Sequence, residues 1–274
     1  MAYTAIDDPE AYFQVKTYTG DGGTPSITLD GDTDMQPDFV WIKNRDAADS
    51  HQLFDAIRGA TKVLITNGYV AESTDADTLT SFDSDGFSLG ADVKVNTDTE
   101  KYVAWCWKAN GAGSANTAGS INTVATSANT TSGFSMVSYV GTQANATIGH
   151  GLGVAPKFIF LKGLDQGEDW TGFHIGKGNT FNVVINNTLT GYSGSDYWQD
   201  TDPSATLITI GASTRPNNSG TTFAAYCFAD VQGFSKFGSY EGNGNADGTF
   251  VYVGFRPAYV MCKSIDSTSS WLIF

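Results

Sequence analysis

The sequence predicts an all-β protein made of tandem antiparallel β-sandwich domains, of the jelly-roll kind. Three observations predict it. The first is composition: of 274 residues only 16% are charged, while 31 are Gly, and 17 Phe, 12 Tyr and 6 Trp supply core material. Helical surfaces usually need Glu, Lys and Arg at i,i+4 spacing, and disordered chains lack aromatics, so both classes are disfavoured. The second is short runs of alternating or continuous apolar residues bounded by Gly, Ser, Thr and Asn, the turn chemistry of a β protein. The third is that the chain repeats itself.

The repeat begins at the opening strand. FQVKTYTG from Phe13, FSMVSYVG from Phe134 and FSKFGSYEG from Phe234 share a pattern. In the first of them Phe13, Val15 and Thr17 face one way and Gln14, Lys16 and Tyr18 the other. A polar Gly-rich stretch follows, and then PDFVWIK (Pro37 to Lys43), APKFIFLK (Pro156 to Lys162) and RPAYVMCK (Pro257 to Lys263). Near-continuous apolar runs of this length read as central strands covered on both faces. Trp41, Phe160 and Met261 occupy one position in these strands and are expected in the core. His51 to Gly59 could be a short helix or a strand followed by a turn. The closing strands KYVAWCWKA and TFAAYCFAD place Cys106 93 residues after Phe13 and Cys227 93 residues after Phe134. Trp105 and Trp107 flank Cys106 and so face away from it.

These repeats divide the chain into a first sandwich over residues 1–110, a Gly/Ala/Ser/Asn linker over 111–118, a second sandwich over 119–233 and the truncated start of a third unit over 234–274. The linker composition is that of a flexible coil. SINTVATSAN (Ser120 to Asn129) reads as an extra first strand of the second unit. The short third unit is too small to bury a core alone. It implies either a longer protein or pairing with another chain.

The net charge is −14, which repels phosphate backbones and argues against nucleic-acid binding. Three cysteines, each within an apolar run, do not make a disulfide framework. The first residues, MAYTAIDDPEAYF, lack the basic and apolar regions of a signal peptide, and no apolar run has the length of a membrane helix. Maturation in a reducing cytosol without membrane insertion is the expectation.

Whole phrases resemble one family. DDPEAYFQVKTYTG, PDFVWIKNRD, RGATKVL, ESTDADTLTSFDSDGFSLG and YVAWCWKANG are similar to the first unit of long repeat proteins of tailed, often marine, bacteriophages, described as tail-fibre or virion structural proteins. GHGLGVAPKFIFLK, SDYWQDTDP, AYCFADVQGFSKFGSYEGNG and FVYVGFRPAYVMCKSIDSTSSW resemble the units that follow. The resemblance implies concanavalin A-like lectin/glucanase sandwiches and a non-enzymatic, tail-fibre-like part of the virion, assembled in the host cytoplasm. The first unit would anchor it. Other virion proteins of the tail, portal or capsid, further copies of the chain, and host-surface glycans are the implied partners. A capsid decoration or head-fibre protein, and a glycan-cleaving enzyme on the same fold, are the alternatives.

The residues themselves give little chemistry. Glycosidases need two carboxylates facing one cleft. The five glutamates form no such pairing: Glu72 beside Asp75, and Glu168 beside Asp169, lie in polar stretches that read as solvated loops. Asp83 and Asp85 in FDSDGFSLG are a weak calcium candidate, without the bidentate Glu that completes a calcium loop. No other metal site is indicated, His51, His150 and His174 lack metal-ligand spacing, and no cofactor fingerprint occurs. GYSGSDYWQD is the one segment with a ligand-like character. There Tyr192, Tyr197 and Trp198 could stack on sugar rings while Asp196 binds hydroxyls, as against a loop folded on its own sandwich.

Overall fold

The computed structural model describes residues 4–274 and is all-β, with several antiparallel sheets. Strands β1 (Phe13–Thr19), β2 (Ser26–Thr28), β3 (Phe39–Asn44), β4 (Gln52–Asp55), β5 (Lys62–Ile65), β6 (Ser73–Thr74), β7 (Leu79–Asp83), β8 (Gly86–Leu89) and β9 (Lys101–Trp107) form the first half. They make a large sheet of order β1-β9-β3-β4-β5-β6 and a small one of order β2-β8-β7. The second half has β10 (Ala125–Asn129), β11 (Phe134–Val140), β12 (Ala146–Gly149), β13 (Phe158–Gly163), β14 (Thr171–His174), β15 (Phe181–Val184), β16 (Tyr192–Ser193), β17 (Leu207–Ile210) and β18 (Thr222–Phe228). Its large sheet runs β10-β11-β18-β13-β14-β15-β16, and β12 pairs with β17. A final hairpin joins β19 (Met261–Cys262) to β20 (Leu272–Ile273). Single helical turns α1 (Val93–Asn96), α2 (Ser195–Trp198) and α3 (Thr214–Asn217) lie in the connections.

The two closing strands, β9 and β18, are interior strands of their sheets. β9 lies between β1 and β3, and β18 between β11 and β13. The expected extra strand is β10, on the outer edge of β11. His51–Gly59 resolves into β4 and a turn, with Gly59 at φ 95° taking the conformation that a side chain resists.

Alternation sends each large sheet into two cores. In β3, Val40 and Ile42 join Phe87, Leu89 and Cys106 in the core between the first half's own two sheets. Phe39 and Trp41, on the other face, join Trp105, Trp107, Phe134, Phe158, Phe160 and Tyr226 in a core shared by both halves. The second half does the same: Ile159, Leu161 and Cys227 turn inward to its own small sheet. The sheets therefore stack small, large, large, small. This accounts for the continuous apolar runs of the central strands: the second face is covered by the other sandwich.

The two halves correspond in detail. Tyr18 stacks on Tyr102 at 5.1 Å and donates its hydroxyl to the Val95 carbonyl at 2.8 Å. Tyr139 stacks on Phe223 at 5.1 Å and donates to the Pro216 carbonyl at 2.6 Å. Buried Asn96 donates to the Gly90 and Gly23 carbonyls, both at 3.0 Å, and buried Asn217 to those of Gly211 (2.9 Å) and Ala144 (2.7 Å). Each asparagine thus ties the turn before its closing strand to the small sheet. Gly20 is needed for this closeness, since a Cβ there would lie 2.1 Å from the Thr97 carbonyl oxygen.

The glycine-rich tract 111–118 differs from the flexible coil its composition suggests. Ser114 and Thr126 exchange backbone hydrogen bonds at 3.2 and 2.7 Å, and Asn110 N–H donates to Ser127 Oγ at 2.8 Å. Small residues let the tract lie against β10, so low side-chain bulk here serves close approach.

Candidate functional site

The seam between the two large sheets holds a buried charge cluster. Asp55 ends β4 and Arg58 follows in the turn, so their side chains meet: Arg58 Nε donates to Asp55 Oδ2 at 2.6 Å. Arg58 Nη1 donates to Glu72 Oε2 at 2.9 Å and to the Lys62 carbonyl at 3.1 Å. The Arg58 side chain is 3% exposed and that of Asp55 0%. From the other half, the Tyr226 hydroxyl donates to Asp55 Oδ2 at 2.5 Å. Burial works against the Arg58 charge, but Asp55, Tyr226 and Glu72 more than offset it and hold its pKa above the usual value. Glu72 is therefore no solvated loop carboxylate: the fold brings it back over Arg58. A guanidinium between two carboxylates in a closed interior is neutralised and geometrically fixed.

The same seam carries a repeated tryptophan contact. Trp170 Nε1 donates to the Ile65 carbonyl of β5 at 2.9 Å. The repeated strand lysines serve the turns after them: Lys43 Nζ donates to the Asn44 and Ala47 carbonyls, and Lys162 Nζ to those of Gly163 and Gln166. Burial lowers the Lys162 pKa to about 8, against the opposing pull of Glu168 and Asp169.

The residues expected to bind a glycan are divided by the fold. Trp198 is 1% exposed and packs edge-on to Phe173 at 5.9 Å in the core, so it has no ring face for a sugar. The indole lies at the end of α2, whose turn directs it inward. Tyr192 and Tyr197 are half-buried and Asp196 is exposed. The Arg215 guanidinium covers one face of the Tyr192 ring at 4.5 Å. Arg215 is in turn held by Glu168 at 3.6 Å and Asp169 at 3.3 Å. Both carboxylates lie in the loop after β13, as expected, with the Glu168 side chain 43% exposed, and both pair with Arg215. Burial raises the Tyr197 pKa, with Arg215 pulling the other way.

Asp83 and Asp85 serve turns. Asp83 accepts from Ser81 at 2.6 Å and Ser88 at 2.7 Å, and Asp85 Oδ1 accepts from Met35 N–H at 3.2 Å. Among the described residues no group of three or more His, Cys, Asp or Glu is placed to hold a metal ion. Cys106 and Cys227 are buried free thiols, with burial pushing Cys227 up to about 12. Among the described residues no helix is long and apolar enough to cross a membrane.

Sheet stacking and buried polar ties thus define an all-β protein of face-packed sandwiches. Residues 8–274 match the family described as Domain of unknown function (DUF7483), and the chain belongs to it. No curated protein and no solved structure matches the chain.

The polar seam had only a faint sequence signal. Asp55 and Arg58 are visible as a polar pair in an apolar segment, but Tyr226 is 171 residues from Asp55. The asparagine ties were within reach, because Asn96 and Asn217 each stand ten residues before their repeated cysteine.

Proposed function

We propose that the protein is a structural component of a tailed-bacteriophage virion, part of a tail-fibre-like appendage, with its sandwiches of the concanavalin A-like, jelly-roll kind. The observation that carries this reading is the seam. Both broad sheets are spent on each other, and the interior charges Asp55, Arg58 and Glu72 are paired with one another. A module that commits its charges and its broad faces to internal cohesion is suited to bearing load and spacing. A glycosidase of the usual kind needs two carboxylates open to substrate, whereas Asp55 and Glu72 enclose an arginine instead. The resemblance of its phrases to those of phage repeat proteins suggests the biological setting.

The net charge of −14 suits a surface displayed at high copy number, since it resists non-specific association. Attachment to host glycans would fall to Tyr192, Asp196 and Tyr197, the part of the expected site that reaches the surface. An electron-microscopy map of the whole particle tests the reading by locating the chain. Density in a tail-associated fibre is expected; density on the shell lattice favours decoration instead. A glycan array with the full chain and its Tyr192→Ala and Asp196→Ala variants tests adhesion. Equal signal from all three would remove these residues from any glycan site.

A further inference from the structure

Residues 234–274 reproduce the beginning of each large sheet. β19 pairs with β20 through Met261 and Ile273, twelve residues apart. The same spacing joins Trp41 to Leu53 between β3 and β4, and Phe160 to Gly172 between β13 and β14. The seam contact is repeated as well. Trp271 Nε1 donates to the Val184 carbonyl of β15 at 2.8 Å, as Trp170 does to Ile65 in β5. Moreover, this segment touches both halves. Tyr259 packs on Trp107 at 5.4 Å and on Phe13 at 6.0 Å, whereas Phe237 packs on Phe228 at 6.1 Å and Phe158 at 6.2 Å. The segment is therefore the third wall of a three-sided aromatic core.

That wall lacks its centre. In the first two sheets the closing strand lies between the opening strand and the Pro-to-Lys strand. In the third, no strand among the described residues lies between 234–240 and 257–263. A cavity of about 480 Å³ opens there, lined by Phe13, Trp107, Phe134, Phe228, Phe237 and Tyr259 among others. Phe250 and Tyr252, which shortly precede Val253 of the cavity lining in sequence, are 86% and 75% exposed. His51, the first-half counterpart of Trp170 and Trp271, has a buried Nδ1 without a hydrogen-bond partner among the described residues.

We propose that this slot is a strand-acceptor site. Its occupant is an antiparallel β-strand of the closing type on a partner polypeptide, with aromatic residues on one face as Tyr226 and Phe228 are in β18. Such a strand would pair with Met261 on one side and with the 234–240 segment on the other, and its aromatic face would fill the cavity. Continuity with the seam already built by β9 and β18 specifies both register and side-chain chemistry.

The test is direct on the full chain. A labelled peptide of residues 222–229, carrying Cys227→Ser and flanking lysines for solubility, is titrated by fluorescence anisotropy, and bound complexes are mapped by amide hydrogen exchange. Saturable binding is expected, with new protection at 257–263 and 234–240. At least tenfold weaker binding is expected when the peptide carries Tyr226→Ala and Phe228→Ala. A Met261→Asp chain should lose binding; if that variant fails to fold, the exchange map decides alone. Absence of saturable binding, equal binding of a scrambled peptide, or protection elsewhere would overturn the proposal. So would concentration-dependent self-association that protects the same slot, since a second copy would then be the occupant.

Discussion

At the residue scale, the seam between the sandwiches depends on one hydroxyl and one ion pair. Tyr226→Phe removes the 2.5 Å donor to Asp55 but leaves Arg58 in place, so a loss of about 1–2 kcal/mol is expected. Asp55→Asn is more severe because the buried guanidinium loses its nearest counter-charge, and about 3–5 kcal/mol is expected. Urea midpoints of the two variants measure the difference, and equal costs would mean that the charge is not what holds the seam. Histidines supply a pH dependence. Burial, with Lys43 adding to it, lowers the His51 pKa to about 4, and burial also lowers His150 and His174. The unfolded chain therefore takes up these protons first as pH falls. Stability should be full above about pH 6.5 and decline towards pH 4, with His51 accounting for roughly 2–3 kcal/mol. His51→Gln should flatten that slope in urea titrations at stepped pH.

At the element scale, the short turns α1 and α3 matter through the asparagine in each. Asn96→Ala leaves the carbonyls of Gly90 and Gly23 without their donor, and Asn217→Ala does the same for Gly211 and Ala144. Each is expected to cost about 2–3 kcal/mol. The two residues share no partner, so the double variant should show the sum within about 0.5 kcal/mol. A large shortfall in thermal or urea unfolding would mean that the two ties are coupled through the seam. The strands themselves were legible in sequence, because alternation and the repeated Pro-to-Lys segment mark β3 and β13 directly. Trp198 was not. Its neighbours are Gly, Ser, Asp and Tyr, a loop-like setting, yet the single turn of α2 carries the indole into the core against Phe173. Local composition describes the backbone around a residue, whereas burial depends on what lies across from it.

At the scale of the whole molecule, the shared core makes two repeats into one cooperative body. Phe39, Trp41, Leu53, Leu64, Trp105 and Trp107 are buried because the second large sheet, with Tyr259 of the final segment, covers them. Calorimetry should accordingly give a single transition with equal calorimetric and van't Hoff enthalpies. Residues 1–110 expressed alone should expose that face and bind a hydrophobic dye strongly. Two resolved transitions, or a dye-silent fragment, would show that each sandwich stands by itself. Phe160→Ala should lower the stability of both halves together, by about 3–5 kcal/mol.

By itself the sequence determined the all-β class, the strand phrases and the repeat spacing, since these follow from local periodicity and from similarity within the chain. Only the tertiary structure decided that the large sheets face each other, that Tyr226 reaches Asp55, that the glycine-rich tract is stitched to β10, and that the final hairpin forms a third wall. The physical reason is that a strand's two faces are written in its own alternation. The surface that will cover each face is written elsewhere in the chain, and only packing brings the two together.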